Sequence, residues 1–493
     1  MKRESFGSRI GFILVSAGCA VGLGNVWKFP YMCGAYGGAI FILIYLLFLV
    51  ILCLPVLVCE FAVGRASRMS VAKSFDTLEP DGTRWHLMKY IGMIGCYLLM
   101  MFYTMVGGWM LYYCFRSLRG DFTGASSETI QQYFSDMLAD PGTMIFWTVL
   151  ICVIGFSVCA IGLQKGIERI TKVMMTLLFI VMIALAVRSV TMPGSVEGIR
   201  FYLVPDIDKM LETGIGNVLF GALSQAFFTL SIGIGAMLIF GSYLDKSNRL
   251  AGEAISIGVL DTLVALTAGL IVIPSCFAYG IQPDAGPSLV FITLPNIFSQ
   301  MTAGGIWSAL FFLFLTFAAL STIIAVFENL VAINMDLLGW SRKKSTLVCA
   351  VLIIILSMPC VLGYNILSGV QPLGEGSTIM DLEDFLVSNN LLPLGSMGIL
   401  LFCTRKNGWG WDNFKKEADT GNGIKLPSFM RPLMSYIIPA AIMIIFLKGY
   451  YDKFSGQGTA LFITWMTIGI LLLAFVLFCA SGGSKNIHKN NNK

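Results

Sequence analysis

The 493-residue sequence predicts an all-α membrane protein of about twelve transmembrane helices. Spans one to five and six to ten read as two inverted repeats, with two further helices at the C-terminal end. Three observations predict this class. Only 12% of the residues are charged while 56% are hydrophobic, and mean hydropathy is +0.80. Soluble domains carry about 25% charged residues, so this chain is solvated mainly by lipid. Apolar runs long enough to cross a bilayer, which takes about 20 residues per helix, recur about twelve times. Two of those runs, five spans apart, are interrupted at mid-depth by glycines and polar residues.

The runs lie near residues 9–34, 39–64, 86–118, 143–164, 167–191, 215–242, 252–280, 304–338, 345–364, 379–404, 430–451 and 457–480. Length alone suggests about three soluble domains, but continuous apolar runs override that prior. The chain therefore divides into a first repeat (1–191), an outer loop (192–214), a second repeat (215–405), a cytoplasmic loop (406–429), two last spans (430–480) and a cytoplasmic tail (481–493). Orientation follows from Lys and Arg, which concentrate on the cytoplasmic side. With both termini inside, 25 of the 33 basic residues fall in cytoplasmic segments. Lys2, Arg3 and the stretch LVSAGC ending at Cys19 imitate a lipoprotein signal peptide, but Ser16 stands where a branched aliphatic residue belongs. The stretch reads as the first span of a multi-pass protein of the cell membrane.

The net charge of +5 is the sum of the topological bias and does not point to nucleic acid. The 13 cysteines lie in or beside apolar runs, with no CxxC pair, and read as small hydrophobes. His86 and His488 are the only histidines, so metal and Ser-His chemistry have almost no raw material. No Asn-x-Ser/Thr sequon occurs. No nucleophile-base pair suggests an enzyme, and no repeated filter loop suggests a channel.

The first span contains SAGCAVGLGNVWKFP, residues 16–30, with Gly18, Gly22 and Gly24 in its middle. Each glycine lowers helix propensity by about 1 kcal/mol. Gly18 and Gly22 also fit the small-xxx-small spacing of close helix packing. A second such stretch, SQAFFTLSIGIGAM at 224–237, sets Gln225, Thr229 and Ser231 beside Gly233 and Gly235. Unwound backbone in a membrane is tolerated only where protein or a cavity covers it. Two broken helices in corresponding positions therefore predict a binding site between them, where half-helix N-termini face anions and freed carbonyls face cations.

The stretches SRIGFILVSAGCAVGLGNVWKFP, GGAIFILIY, CEFAVGR, KGIERITK, SQAFFTLSIGIGAM and LSTIIAV occur in this order along the chain. In them the sequence resembles the neurotransmitter:sodium symporter family, in its prokaryotic amino-acid branch. The resemblance implies the leucine-transporter-like fold and sodium-coupled import of a small amino acid by alternating access. It implies two sodium ions. The first would be held by Ala20, Asn25, Thr229 and Asp261, the second by Gly18, Val21, Ala318, Ser321 and Thr322. The substrate would be bound by Cys19, Ala20, Leu23, Gly24, Leu99, Tyr103, Phe228, Thr229, Ser231, Ile234, Thr322, Ala325 and Val326. An outer gate would pair Lys28 with Asp384, and an inner gate Arg3 with Asp336 beside Ser242 and Tyr243. Glu60 would support the unwound backbone of span six.

Several residues refine these expectations. Asp261 stands where the family commonly has Asn, and Ala265 where chloride-dependent members have Ser. An intramembrane acid is functional by default, so Asp261 is expected to supply the negative charge that chloride would contribute, making transport chloride-independent. On the return leg a proton would replace sodium as the partner of Asp261. Monoamine carriers have Asp at the position of Gly22, so the substrate here should bring its own carboxylate, held by Tyr103 near mid-span. The apolar pocket implies a neutral aliphatic or aromatic L-amino acid. Lys28 replaces the more usual Arg and cannot form the same bidentate fork. In MDLEDF, Asp381 and Glu383 compete with Asp384 for the gate. Thr176 stands where relatives have the proline that lets span five unwind. A sodium-dependent sensor that binds without turnover is the alternative reading. Monomer and homodimer are both compatible with the sequence.

Overall fold

The computed structural model describes residues 4–280 and 288–482, and the regular structure among them is helical apart from one isolated bridge between Asn248 and Asn422. Ten continuous helices are long and apolar enough to cross a membrane: Ala39–Ser67, Trp85–Leu118, Pro141–Ile161, Leu163–Val190, Leu250–Ala278, Gly304–Leu338, Arg342–Leu362, Ile379–Thr404, Met430–Phe454 and Thr459–Ser481. Two more spans are broken. In the first, Arg9–Ala20 and Gly24–Ala35 meet at 53°. In the sixth, Ile215–Thr229 and Ala236–Tyr243 flank a non-helical stretch at 230–235. These segments follow the expected order along the chain.

Caps and prolines set the boundaries. Ser8 begins span one by accepting from Gly11 N at 3.0 Å. Asp140 caps span four just before Pro141, and Thr378 forms a reciprocal capping box with Asp381 at the start of span ten. In spans one, two, ten and eleven a π-helical turn runs directly into Pro30, Pro55, Pro393 and Pro439. Proline lacks an N–H and crowds the carbonyl four residues back, and a locally wider turn accommodates both defects.

The spans differ in how deeply they are enclosed. The most apolar window of span ten is 89% buried and that of span eight 78%, against 22% for span twelve. Spans three, eight and ten therefore form the interior with the broken spans, while span twelve faces outward. Short helices occupy segments that sequence periodicity left as loops, among them Val71–Leu78, Ser127–Ala139, Ser195–Leu203, Leu289–Gln300 and Trp411–Ala418. Span five is helical through Thr176, whose hydroxyl donates to Lys172 O at 2.8 Å. Its irregular turn lies earlier, at Leu163–Glu168.

Candidate functional site

The break of span six is a run of left-handed backbone: Ser231, Gly233 and Gly235 have φ of 51°, 97° and 75°. Glycine adopts that region without strain, whereas Ser231 sits there against its preference. Glu60 on span two supports the turn. Its carboxylate accepts from Gly233 N at 2.5 Å, Met237 N at 3.1 Å and Leu238 N at 3.0 Å, with Gly235 N at 3.4 Å. A carboxylate is well suited there, because these N–H groups form the positive end of the following half-helix. On the acceptor side, Asn329 donates to Gly235 O at 3.2 Å and Cys96 to Ile234 O at 3.3 Å. Neither was anticipated, since one buried Asn or Cys in an apolar run carries no pattern.

The break of span one is held by its own Asn25 and by two other spans, three and six. Gly22 N donates to Asn25 Oδ1 at 3.1 Å, Leu23 N to Tyr103 Oη at 2.8 Å, and Gln225 Nε2 to Gly24 O at 2.7 Å. A Cβ on Gly22 would overlap the Tyr103 hydroxyl and Thr322 Oγ1. The position requires glycine so that span three can reach the broken backbone.

Two oxygen clusters lie at these breaks. In the first, Asn25 Nδ2 donates to Asp261 Oδ1 at 2.8 Å and Thr229 Oγ1 to Asp261 Oδ2 at 2.9 Å. Asp261 is fully buried, and no Lys or Arg pairs with it among the described residues. Ala20 lies in the same break. In the second, Thr322 Oγ1 is 3.3 Å from Gly18 O, 3.2 Å from Cys19 O and 3.4 Å from both Val21 O and Ala318 O. Ser321 Oγ lies 3.0 Å from Ala318 O and 3.4 Å from Val21 O. Each hydroxyl has one proton to donate. Two protons cannot satisfy four converging carbonyls, and a small cation suits the surplus oxygens. The donor set, all oxygen with one carboxylate, fits a hard cation such as sodium.

Between the clusters is a cavity of about 10 Å³ lined by Ala20, Gly22, Gly24, Leu99, Tyr103, Phe228, Ser231, Thr322 and Leu392. Cys19, Thr229, Ile234, Ala325 and Val326 are buried and do not line this cavity. The Cys19 carbonyl accepts from Ser231 Oγ at 3.2 Å. Leu23 instead lines a cavity of about 240 Å³ on the outer side, with Trp27, Tyr31, Phe102, Met380 and Asp384. Leu392 was not anticipated, because a leucine in an apolar span resembles any core residue.

Tyr103 and Phe228 line both cavities and separate them. Above them Lys28 Nζ reaches both Asp384 carboxylate oxygens and Ser388 Oγ at 3.3 Å, and lies 4.4 Å from the centre of the Phe228 ring. The neighbouring acids have other roles. Asp381 accepts from Thr378 N at 2.7 Å in the capping box, and Glu383 is buried.

At the end of the second half of span six, Tyr243 Oη donates to Glu328 Oε1 at 2.6 Å, and Glu328 pairs with Arg342 at 2.7 Å. Arg342 also reaches Glu4 at 2.9 Å. Arg68 donates to Ser242 O at 3.2 Å, and Asp336 accepts from Ser70 N at 2.6 Å. Arg3 lies outside the described residues. The start of the described chain is anchored as well: Gly7 N donates to Glu168 at 2.8 Å and Arg9 pairs with Glu253 at 2.7 Å.

The sequence model of the sodium:neurotransmitter symporter family matches residues 3–132 and 127–483. The sodium-dependent transporter YhdH of Bacillus subtilis is 36% identical over 449 residues, spanning 91% of this chain and 98% of its own length. A sodium-dependent transporter of Haemophilus influenzae is 32% identical, spanning 91% of this chain and 99% of its own length. Among solved structures, that of MhsT in complex with L-phenylalanine superposes with a TM-score of 0.83 at 38% identity, covering 90% of this chain and 99% of MhsT.

Proposed function

Because the chain belongs to the sodium:neurotransmitter symporter family, we propose that it imports neutral hydrophobic L-amino acids together with two sodium ions, independently of chloride. Sodium-coupled transport of a small molecule across a membrane is the family's activity, and the multi-pass helical fold accords with it. The observation that carries the finer reading is that Asp261 and Tyr103 both engage the break of span one, Asp261 through Asn25 and Tyr103 through Leu23 N. Asp261 brings a buried negative charge to the first oxygen cluster. Tyr103 and the backbone of the span-one break supply donors for a carboxylate. The complex of MhsT with L-phenylalanine supports an amino-acid substrate.

In this mechanism sodium enters the two oxygen clusters from outside, and the substrate carboxylate joins the first cluster through Tyr103 and the N–H groups near Leu23 and Gly24. Substrate and ion then bind cooperatively, since each neutralises the other in a site shielded from water. Lys28 and Asp384 close over Phe228, and opening of the contacts around Tyr243, Ser242 and Asp336 releases the cargo inward. A proton on Asp261 accompanies the return of the empty carrier. Residues 1–191 and 215–405 act as the two repeats, in the cell membrane with both termini cytoplasmic. Two sodium ions with a zwitterion carry two charges inward and the returning proton carries one back, so about 100 mV contributes roughly 2.3 kcal/mol, about fiftyfold accumulation.

The test is uptake of labelled neutral amino acids into proteoliposomes under an inward sodium gradient, with potassium replacing sodium as the control. Concentrative uptake that requires sodium is expected. Sodium-dependent binding without accumulation of any amino acid would replace the symporter with a sensor.

A further inference from the structure

We infer that Leu392 on span ten sets how large a substrate side chain the central cavity admits, an assignment that rests on the amino-acid symport reading above. Leu392 lines the cavity together with Leu99 and Phe228, and these three supply its large aliphatic and phenyl surface. The remaining lining consists of small residues, the hydroxyls of Ser231 and Thr322, and Tyr103. The cavity holds about 10 Å³, room for a water molecule, so any amino acid needs a wall that yields. Phe228 is held beneath the Lys28 ammonium at 4.4 Å, and Leu99 stands on the unbroken helix of span three. Neither Leu99 nor Leu392 is engaged by a gate contact, and Leu392 directly follows a π-helical turn, with its backbone against the break of span six.

Its placement is fixed by backbone. A Cβ on Gly233 would overlap Leu392 O, and a Cβ on Gly395 would overlap Gly233 O. The broken part of span six thus lies directly on span ten with no side chain between them. The main chain at 392 cannot retreat without disturbing the site, and accommodation falls to the leucine rotamer. Register determines which side chain arrives there. The π-helical turn Phe385–Leu391 ends at Leu392, with Pro393 next. A π turn inserts one residue into the helix and rotates everything beyond it by about 100° relative to an uninterrupted α-helix. The same helix carries Asp384 two turns outward, so a side chain that displaces Leu392 presses on the element that bears the outer gate acid.

The test compares Leu392→Ala, Leu392→Met and Leu392→Phe with the unmutated protein in proteoliposomes, measuring kcat/KM for valine, leucine, phenylalanine and tryptophan. Leu392→Ala should shift the tryptophan-to-valine ratio toward tryptophan by roughly tenfold or more, the scale of one or two methylene groups in an apolar pocket. Leu392→Phe should shift it the other way, and Leu392→Met, of similar volume, should leave it within about threefold. The shift should reside in KM. An equal loss for all four substrates with an unchanged ratio would make Leu392 a structural residue and overturn the assignment. Absence of sodium-driven uptake by the unmutated protein would instead fail the symport reading, and the assignment with it.

Discussion

Asn25 and Asp261 are 236 residues apart in the chain, yet the Asn25 amide donates to the Asp261 carboxylate at 2.8 Å and to its carbonyl at 3.0 Å. This contact joins the break of span one to an unbroken helix, span seven. It gives the break a buried negative charge that also receives the Thr229 hydroxyl at 2.9 Å.

Replacing Asp261 with Asn keeps the volume and removes the charge. Sodium-dependent uptake in Asp261→Asn is expected to fall at least tenfold, with a higher half-saturating sodium concentration. Uptake by the unmutated protein should be unchanged when gluconate replaces chloride at constant sodium. A collapse in gluconate would show that an external anion, and not Asp261, balances the cations.

The second oxygen cluster depends on hydroxyls that a near-isosteric change removes. Thr322→Val retains the branched shape and deletes one oxygen facing the carbonyls of Gly18, Val21 and Ala318. The expected result is a rise of roughly tenfold in half-saturating sodium, matching a loss of about 1.4 kcal/mol. Sodium-dependent thermal stabilisation should shrink in parallel. Unchanged sodium dependence would remove Thr322 from the ion site.

Tyr103 Oη accepts from Leu23 N at 2.8 Å, in the gap that Gly22 leaves open. Tyr103→Phe should raise KM for every amino acid by a similar factor while leaving the order of preference intact, because it removes a contact to the shared carboxylate. Gly22→Ala should abolish binding altogether, since its methyl group meets Tyr103 and Thr322. Normal affinity in Tyr103→Phe would exclude the hydroxyl from substrate binding.

Glu60 accepts from three backbone N–H groups of span six within 3.1 Å. Glu60→Gln turns part of that acceptor into an amide donor facing other donors, leaving at least one buried N–H unsatisfied. A loss of about 2–3 kcal/mol of stability follows from removing a charged acceptor. It should appear as a lower melting temperature in detergent, with or without sodium. A variant as stable as the parent would mean that the half-helix holds its own turn.

At the outer gate, Lys28 touches both carboxylate oxygens of Asp384 at 3.3 Å through a single ammonium group. Lys28→Arg offers a planar fork to the same carboxylate. It should slow release of bound substrate to the outside, measured as efflux or exchange, while Lys28→Ala should speed it. Identical release in both variants would assign closure to Tyr103 and Phe228 alone.

Much was legible in the chain because lipid imposes strict rules. A run of apolar residues has little choice but to become a helix, so the number and order of the spans could be read directly. Broken helices are visible as well, because glycine clusters recur with polar residues at mid-depth in two spans five apart, which close helix packing alone does not require. The roles of Asp261, Tyr103 and Glu60 were expected from motif resemblance, and the structure brings each of them to one of the two breaks. Thr176 was different. Its sequence position raised a question about span five, and the structure has a continuous helix there with its irregular turn at Leu163–Glu168.

By itself the sequence determined the fold class and the location of the two breaks, since these follow from local hydrophobicity and backbone propensity. Only the tertiary structure decided which of three adjacent acids meets Lys28, because capping engages Asp381, packing encloses Glu383, and one helical face remains for Asp384. It also decided that Leu392 reaches the cavity, since a π turn changes the register of a helix without leaving a distinct mark in its composition. Spacing along a chain specifies a helix, while the rotation of that helix against its neighbours is fixed by packing across hundreds of residues.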